Sequence, residues 1–396
     1  MARNLSSLLA AAIAVSCSQA EPPPGADGGA QDGGAASVDG GNSTPDSGTP
    51  DGGGSPDAGN FTDGGAAGDA GGTTPGDAGV TVLPLGTLTV TDSGVQCLGG
   101  AGVGASCMNV KVSCPGLPDL FGMIAVAEPT GSARGTIVTH TGGSGVGFFA
   151  AGAAGKGTEQ ALTKAGYRFV QLSWDTDWAS TGDIKKAACR PATVFQWVFD
   201  NVHGGSRSTG FCGIGSSGGT AALSYSLAAY GMKGSFDYAM LLAGPTPARI
   251  DYGCDPSSYT GGPRSLCPLL TNAPWMYTPG VQSIADGWTG THTCGGAAGA
   301  GDIAAWQADQ LLSAGDDFDY PQTGLSFWYC VSTPNESTGQ ATFFIDQVHP
   351  RNVPDVNCYA GPVDAGGCEN EYVLQDSAAF AAAMSEMEAS CVPHHP

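Results

Sequence analysis

The chain predicts an α/β architecture: a mostly parallel central sheet with helices on both faces and a cap inserted late in the order. Three observations predict it. From about residue 105 onward, short β-branched or aromatic runs alternate with helix-period segments, the order that builds parallel strands through helical crossovers. Phe236–Leu242 is a continuous apolar run, the composition of a strand buried on both faces. Gly215-x-Ser217-x-Gly219 stands where an apolar run meets a small-residue helix.

Taken in order, strands are predicted at Met108–Val112 and Leu120–Ala127, flanked by Gly, Cys and Pro. Gly135–Thr139 is a short β-branched strand ending at His140. A helix at Thr158–Ala165 leads to a strand at Tyr167–Ser173. Pro191–Val202 carries Val194, Trp197, Val198 and Val202 at i, i+3, i+4 and i+8, an amphipathic helix. Phe211–Ile214 is a strand and Gly219–Tyr230 a helix of Ala, Leu and Ser. After Phe236–Leu242 comes an irregular stretch rich in Cys and aromatics, about residues 245–301, read as the cap. A helix at Ile303–Leu312 and a strand at Leu325–Val331 follow. Gly339–His349 places Ala341, Phe344, Ile345 and Val348 at helical spacing, which predicts a helix despite the strand-favouring Thr342-Phe-Phe-Ile345 inside it. Val356–Tyr359 is the last strand and Ser377–Glu388 the last helix.

The remainder of the chain is not core-forming. Residues 1–17 read as an export signal: Arg3 at the start, an apolar stretch from Leu8 to Val15, then Cys17. Ala14-Val15-Ser16-Cys17 resembles a bacterial lipoprotein signal, which implies lipidation at Cys17; the alternative is an ordinary signal cut nearby, after Ala20. Residues 18–80 are low-complexity Gly, Asp, Ala, Pro, Ser and Thr, too poor in apolar area to offset ordering entropy, and read as a disordered linker. Residues 81–396 form the folded domain. Ten acidic residues of the linker account for much of the net charge of −22, leaving about −12 for the rest. That balance speaks against nucleic acid, which selects clustered Lys and Arg. The membrane partner implied is the lipid anchor alone, since no segment has the ~20 continuous apolar residues of a span.

With Cys17 set aside, twelve cysteines remain, an even number suited to an oxidising compartment. Local pairs such as Cys254 with Cys267, or Cys358 with Cys368, are expected, with connectivity left open. No C-x-x-C occurs, which speaks against a cysteine zinc site, and no other feature of the sequence implies a metal or cofactor.

Gly215-x-Ser217-x-Gly219 is a weak motif by itself in a chain holding 64 Gly among 396 residues. Its strand-turn-helix setting, the element order and His140-Thr-Gly-Gly-Ser-Gly145 after an earlier strand together resemble the α/β-hydrolase family over residues 105–391. The second segment resembles the oxyanion loop of esterases and lipases. The resemblance implies Ser217 as nucleophile and the backbone N–H of Gly218 as one oxyanion donor, with Gly143 or Gly142 supplying the other. It also implies an acid after the strand that follows the insertion, where Ser332-Thr-Pro-Asn-Glu336 offers Glu336, with Asn335 a poorer choice and Asp251 an alternative.

A serine hydroxyl needs a base within hydrogen-bond reach, and here the chain departs from the pattern. The family's histidine belongs between the last strand and last helix, but Gly361–Tyr372 contains none. His292, His349 and His140 remain as candidates. A helix ending at His349 would carry that residue below the sheet, and the resemblance gives His140 the role of shaping the oxyanion loop. Aromatic residues of the cap (Tyr252, Tyr259, Trp275, Tyr277, Trp288) and Trp174 and Trp178 suit either ligand contact or a small core of their own. The function expected is an exported serine hydrolase cleaving small-molecule or polymer carboxylic esters through an acyl-serine. The alternative is a non-catalytic surface lipoprotein that binds a ligand on a degenerate hydrolase scaffold.

Overall fold

The computed structural model describes residues 80–261, 273–296, 298–331, 335–360 and 370–395. Its strands are β1 (Thr87–Val95), β2 (Ser106–Ser113), β3 (Leu120–Ala127), β4 (Gly135–His140), β5 (Tyr167–Trp174), β6 (Gly210–Ser216), β7 (Tyr238–Leu242), β8 (Asp319–Tyr320), β9 (Gly324–Cys330), β10 (His349–Pro350) and β11 (Asp355–Tyr359). The helices are α1 (Ala153–Lys164), α2 (Ile184–Ala187), α3 (Cys189–Trp197), α4 (Gly218–Ala229), α5 (Ile250–Cys254), α6 (Pro279–Thr289), α7 (Ala300–Asp309), α8 (Glu336–Ile345) and α9 (Ser377–Ser390). Nine strands form one sheet in the order β1-β2-β3-β5-β4-β6-β7-β9-β11, while β8 and β10 pair separately. From β5 to β11 every pairing is parallel; β1, β2 and β3 continue the sheet antiparallel. With helices on both faces and helices inserted between β7 and β9, this is the α/β-hydrolase fold.

Both faces of the parallel strands are buried, as the continuous apolar runs require. Ile137, Phe169, Ile214 and Met240 pack with Leu162 of α1 and Ala383, Met384 and Met387 of α9. Their neighbours Val138, Val170 and Leu241 face the opposite core, with Val194 of α3, Leu223 of α4 and Phe344 of α8. The disulfides that tie this frame include Cys97–Cys107, Cys114–Cys189, Cys212–Cys391 and Cys254–Cys294. All ten described cysteines are disulfide-bonded. Cys254 thus pairs with Cys294 rather than Cys267, because the chain returns from α6 beside the end of α5. The expected Cys358–Cys368 pair involves Cys368, outside the described residues, although Cys358 itself is bonded.

Several boundaries differ from expectation for local reasons. Strand β1 is an exposed edge whose polar alternation hid it. The helix expected at Gly339–His349 begins at Glu336, because the Asn335 side chain accepts from the Ser337 backbone N–H, and it ends at Ile345. The helix expected at Ile303–Leu312 stops at Asp309, where Gln310 turns extended and Leu311 and Leu312 bond to Pro247 and Ala248 carbonyls. The amphipathic segment expected at Pro191–Val202 is α3 followed by a wider π-turn at Val198–Val202.

Candidate active site

Strand order reverses at β4: the chain goes to β5 on one side and then to β6 on the other. Loops leaving β4 and β6 therefore diverge at their carboxyl ends and open a crevice, the place where sheets of this kind hold ligands. Gly142–Gly145 leave β4 there and Ser217 leaves β6. Register fixes their closeness, since His140 lies opposite Gly215 and Ser216 opposite Leu242.

Ser217 has φ 49° and ψ −112°, one of two non-glycine residues with positive φ among those described. A residue with a Cβ pays about 1–3 kcal/mol for such a conformation, so the surroundings must impose it. They do. The Ser217 N–H donates to the Leu242 carbonyl at 2.8 Å, and the Ser217 carbonyl accepts from the Thr220 N–H (2.9 Å) and the Thr220 hydroxyl (2.6 Å). The glycines make room for this turn. A Cβ on Gly219 would sit 2.1 Å from the His140 carbonyl oxygen, and one on Gly218 would sit 2.3 Å from that of Gly143. Gly143 itself has φ 57°. The backbones of Gly143 and Gly218 thus run in direct contact beside Ser217.

These residues open onto a cavity of about 210 Å³. Gly143, Ser144, Ser217 and Gly218 form its floor. Asp177, Trp178 and Ala179 line one wall, after the end of β5, and Asn335, Glu336 and Ser337 another, at the start of α8. Val281, Ile284 and Trp288 of α6 lie over it. The four residues singled out by sequence, Ser217, Gly218, Gly143 and Glu336, therefore surround one cavity. Glu336 occupies the first turn of a helix rather than a free loop, where the macrodipole favours its charge. Its Oε1 accepts from the Thr278 hydroxyl at 3.1 Å, linking α8 to the entry of α6. Asp251, the alternative acid, lies outside the cavity. Its buried carboxylate is held by the Arg249 guanidinium at 2.6 and 2.9 Å and by Gln307.

None of the chain's six histidines lines the cavity. His140 is buried beneath the loop, and both ring nitrogens are engaged. Trp174 Nε1 can only donate, so His140 Nε2 accepts from it at 3.0 Å, and Nδ1–H donates to the Thr141 carbonyl at 2.8 Å. Burial lowers its pKa to about 4, outweighing the Thr141 bond. His140 is a neutral strut for the Gly142–Gly145 loop. His292 lies between α6 and α7, with Nδ1 2.9 Å from Asp302 Oδ1. His349 lies in β10, because α8 runs back across the sheet and delivers the next segment to the opposite edge. His203 bonds Thr136 and the Ser206 carbonyl, while His394 and His395 bond Asp237 and Phe236 before β7, all at that opposite edge.

The aromatic residues divide accordingly. Tyr252, Tyr259 and Trp275 pack on one another and on Phe343, a small core of the insertion. Trp178 and Trp288 line the cavity, and Trp174 braces His140. Asp177 was not anticipated from sequence, although its place just past the carboxyl end of a strand was the signal available. The helical stripe Val281, Ile284, Trp288 was also readable inside a stretch taken as irregular. Among the described residues, no three His, Cys, Asp or Glu side chains converge as a metal ion would require.

No family model matches the chain, and no curated protein matches its sequence. Solved structures similar to it include brefeldin A esterase, a bacterial homologue of human hormone sensitive lipase: 13% identity, TM-score 0.46, covering 77% of this chain and 81% of that one. A bacterial heroin esterase matches at 12% identity and TM-score 0.44, over 73% of this chain and 84% of its own. An esterase of Pyrococcus furiosus matches at 11% and 0.41, over 80% and 100%. The chemistry available here follows from the site's own residues.

Proposed function

We propose that the protein hydrolyses carboxylic esters through an acyl-serine intermediate on Ser217. One observation carries this reading: a serine held at positive φ on the turn from β6 to α4, against a second glycine backbone, at the floor of a closed-over cavity. Backbone strain of this kind clusters at active sites, held by the structure around it. The Ser217 oxygen attacks the ester carbonyl, and the N–H groups of Gly218 and Gly143 bind the developing oxyanion. Apolar residues of α6 cover the acyl or alcohol group. Glu336 stands on the wall of the same cavity and supplies its acid, with no histidine of this chain beside it.

The reading includes export, with Cys17 lipidated and residues 18–80 serving as a tether. The disulfide-bonded cysteines support an oxidising compartment. The test is incubation with p-nitrophenyl acetate. Release of one equivalent of p-nitrophenolate with acetylation of Ser217, lost in Ser217→Ala, is the expected result; release unchanged by Ser217→Ala overturns it. A second reading, a ligand-binding protein that uses the same cavity without chemistry, is favoured by the placement of all six histidines elsewhere. It predicts no acetylation.

A further inference from the structure

We infer that the ester supplies its own base: the substrates are esters whose acyl part carries a free amine, and that nitrogen takes the place of the absent histidine. The inference rests on Ser217 as nucleophile. Four observations lead to it. Each of the six histidines is fixed outside the cavity, His140 with both nitrogens engaged. No Lys, Arg or His among the described residues lines it. A carboxylate is in general too weak a base to draw a proton from a serine hydroxyl efficiently, since general bases work best with pKa values near the working pH. Yet the walls carry two carboxylates, Asp177 and Glu336, whose hydrogen-bond partners among the described residues are neutral: Ala179 N–H and the Ser180 hydroxyl on Asp177, and the Thr278 hydroxyl on Glu336.

The charged neighbour bearing on Asp177 is Arg190, whose guanidinium donates to the Trp178 and Pro118 carbonyls instead. A cavity with two carboxylates on its walls suits an ammonium group, which both attract. It disfavours anionic esters.

The steps balance. The neutral amine accepts the Ser217 hydroxyl proton as the Oγ–C bond forms. The resulting ammonium, held by the carboxylate wall, returns that proton to the alkoxide as the ester C–O bond breaks. The amine stays on the acyl group, so it then accepts a proton from the water that attacks the acyl-serine. Ser217 Oγ leaves and recovers that proton.

The experiment compares p-nitrophenyl esters of glycine and 3-aminopropanoate with those of propanoate and butanoate, their isosteres with CH₃ for NH₂, each corrected by Ser217→Ala. The expected result is acylation of Ser217 by all four, slower for propanoate and butanoate, which rely on the p-nitrophenolate leaving group alone, and turnover about 100-fold or more faster for the amine-bearing pair, the scale of general-base catalysis. Glycine-ester turnover should rise with pH through the pKa of the bound amine, which the carboxylate wall holds above the free value of about 8. Added imidazole should accelerate the propanoyl and butanoyl enzymes, and Glu336→Gln should shrink the amine preference. Equal turnover of both classes with no imidazole effect overturns the inference and leaves Ser217 standing. No acylation of Ser217 by any ester overturns both readings.

Discussion

Ser217→Gly and Ser217→Ala both remove the hydroxyl, but only alanine keeps the Cβ that makes φ 49° costly. The strain at such a position is about 1–3 kcal/mol. Glycine escapes it but loses about 0.5–1 kcal/mol more backbone entropy on folding. The difference leaves Ser217→Gly more stable than Ser217→Ala by about 0.5–2 kcal/mol. At about 2 cal/mol/K of unfolding entropy per residue, this corresponds to roughly 1–3 °C in Tm for a domain of this size. Urea and thermal unfolding of the two disulfide-intact proteins measure it. A glycine variant no more stable than the alanine variant refutes the argument that the Leu242 and Thr220 bonds force this turn against its intrinsic preference.

Other outcomes follow from the same geometry. Gly219→Ala drives a methyl into the His140 carbonyl oxygen and should cost several kcal/mol or block folding, read by thermal shift. His140 has a folded pKa of about 4 against an ordinary 6.5, so between those values the unfolded state binds more protons. Stability should therefore fall as pH drops through that window, by on the order of 3 kcal/mol for this group. His140→Gln should flatten that part of the stability–pH curve. Asp309 behaves oppositely: burial, then the nearby Asp183 charge, raises its pKa to about 7. Its contribution is lost as pH rises through that value, so Asp309→Asn should raise Tm at pH 8 and not at pH 4. Removing Cys254–Cys294 as a Ser pair should cost about 4 kcal/mol by the chain-entropy model, from a sequence separation of 40, and loosen α5 and α6 first, read by hydrogen exchange.

Most of the sheet was legible because its central strands are buried on both faces, and a short apolar run such as Phe236–Leu242 between turn residues is of strand length. β1 was not, since an exposed edge strand needs no apolar alternation. The site's floor was legible because a glycine pattern reports backbone contact: Gly218 and Gly219 touch Gly143 and His140, residues far away in sequence. Glu336 was reached as a candidate by following the chain off β9, but its place in a helix depended on Asn335 as a cap. Asp177 and the α6 stripe escaped because they belong to the cavity through tertiary placement of a loop and an insertion, with no local pattern to mark them. The Cys254 pairing failed for a similar reason. Proximity in sequence favoured Cys267, whereas the path of α6 brings Cys294 to α5.

The measurement closest to the central claim is labelling of the disulfide-intact protein with a fluorophosphonate, followed by peptide mapping. The account predicts a single adduct on Ser217 and none on Ser217→Ala. A folded protein that stays unlabelled, or one labelled at another serine, contradicts it.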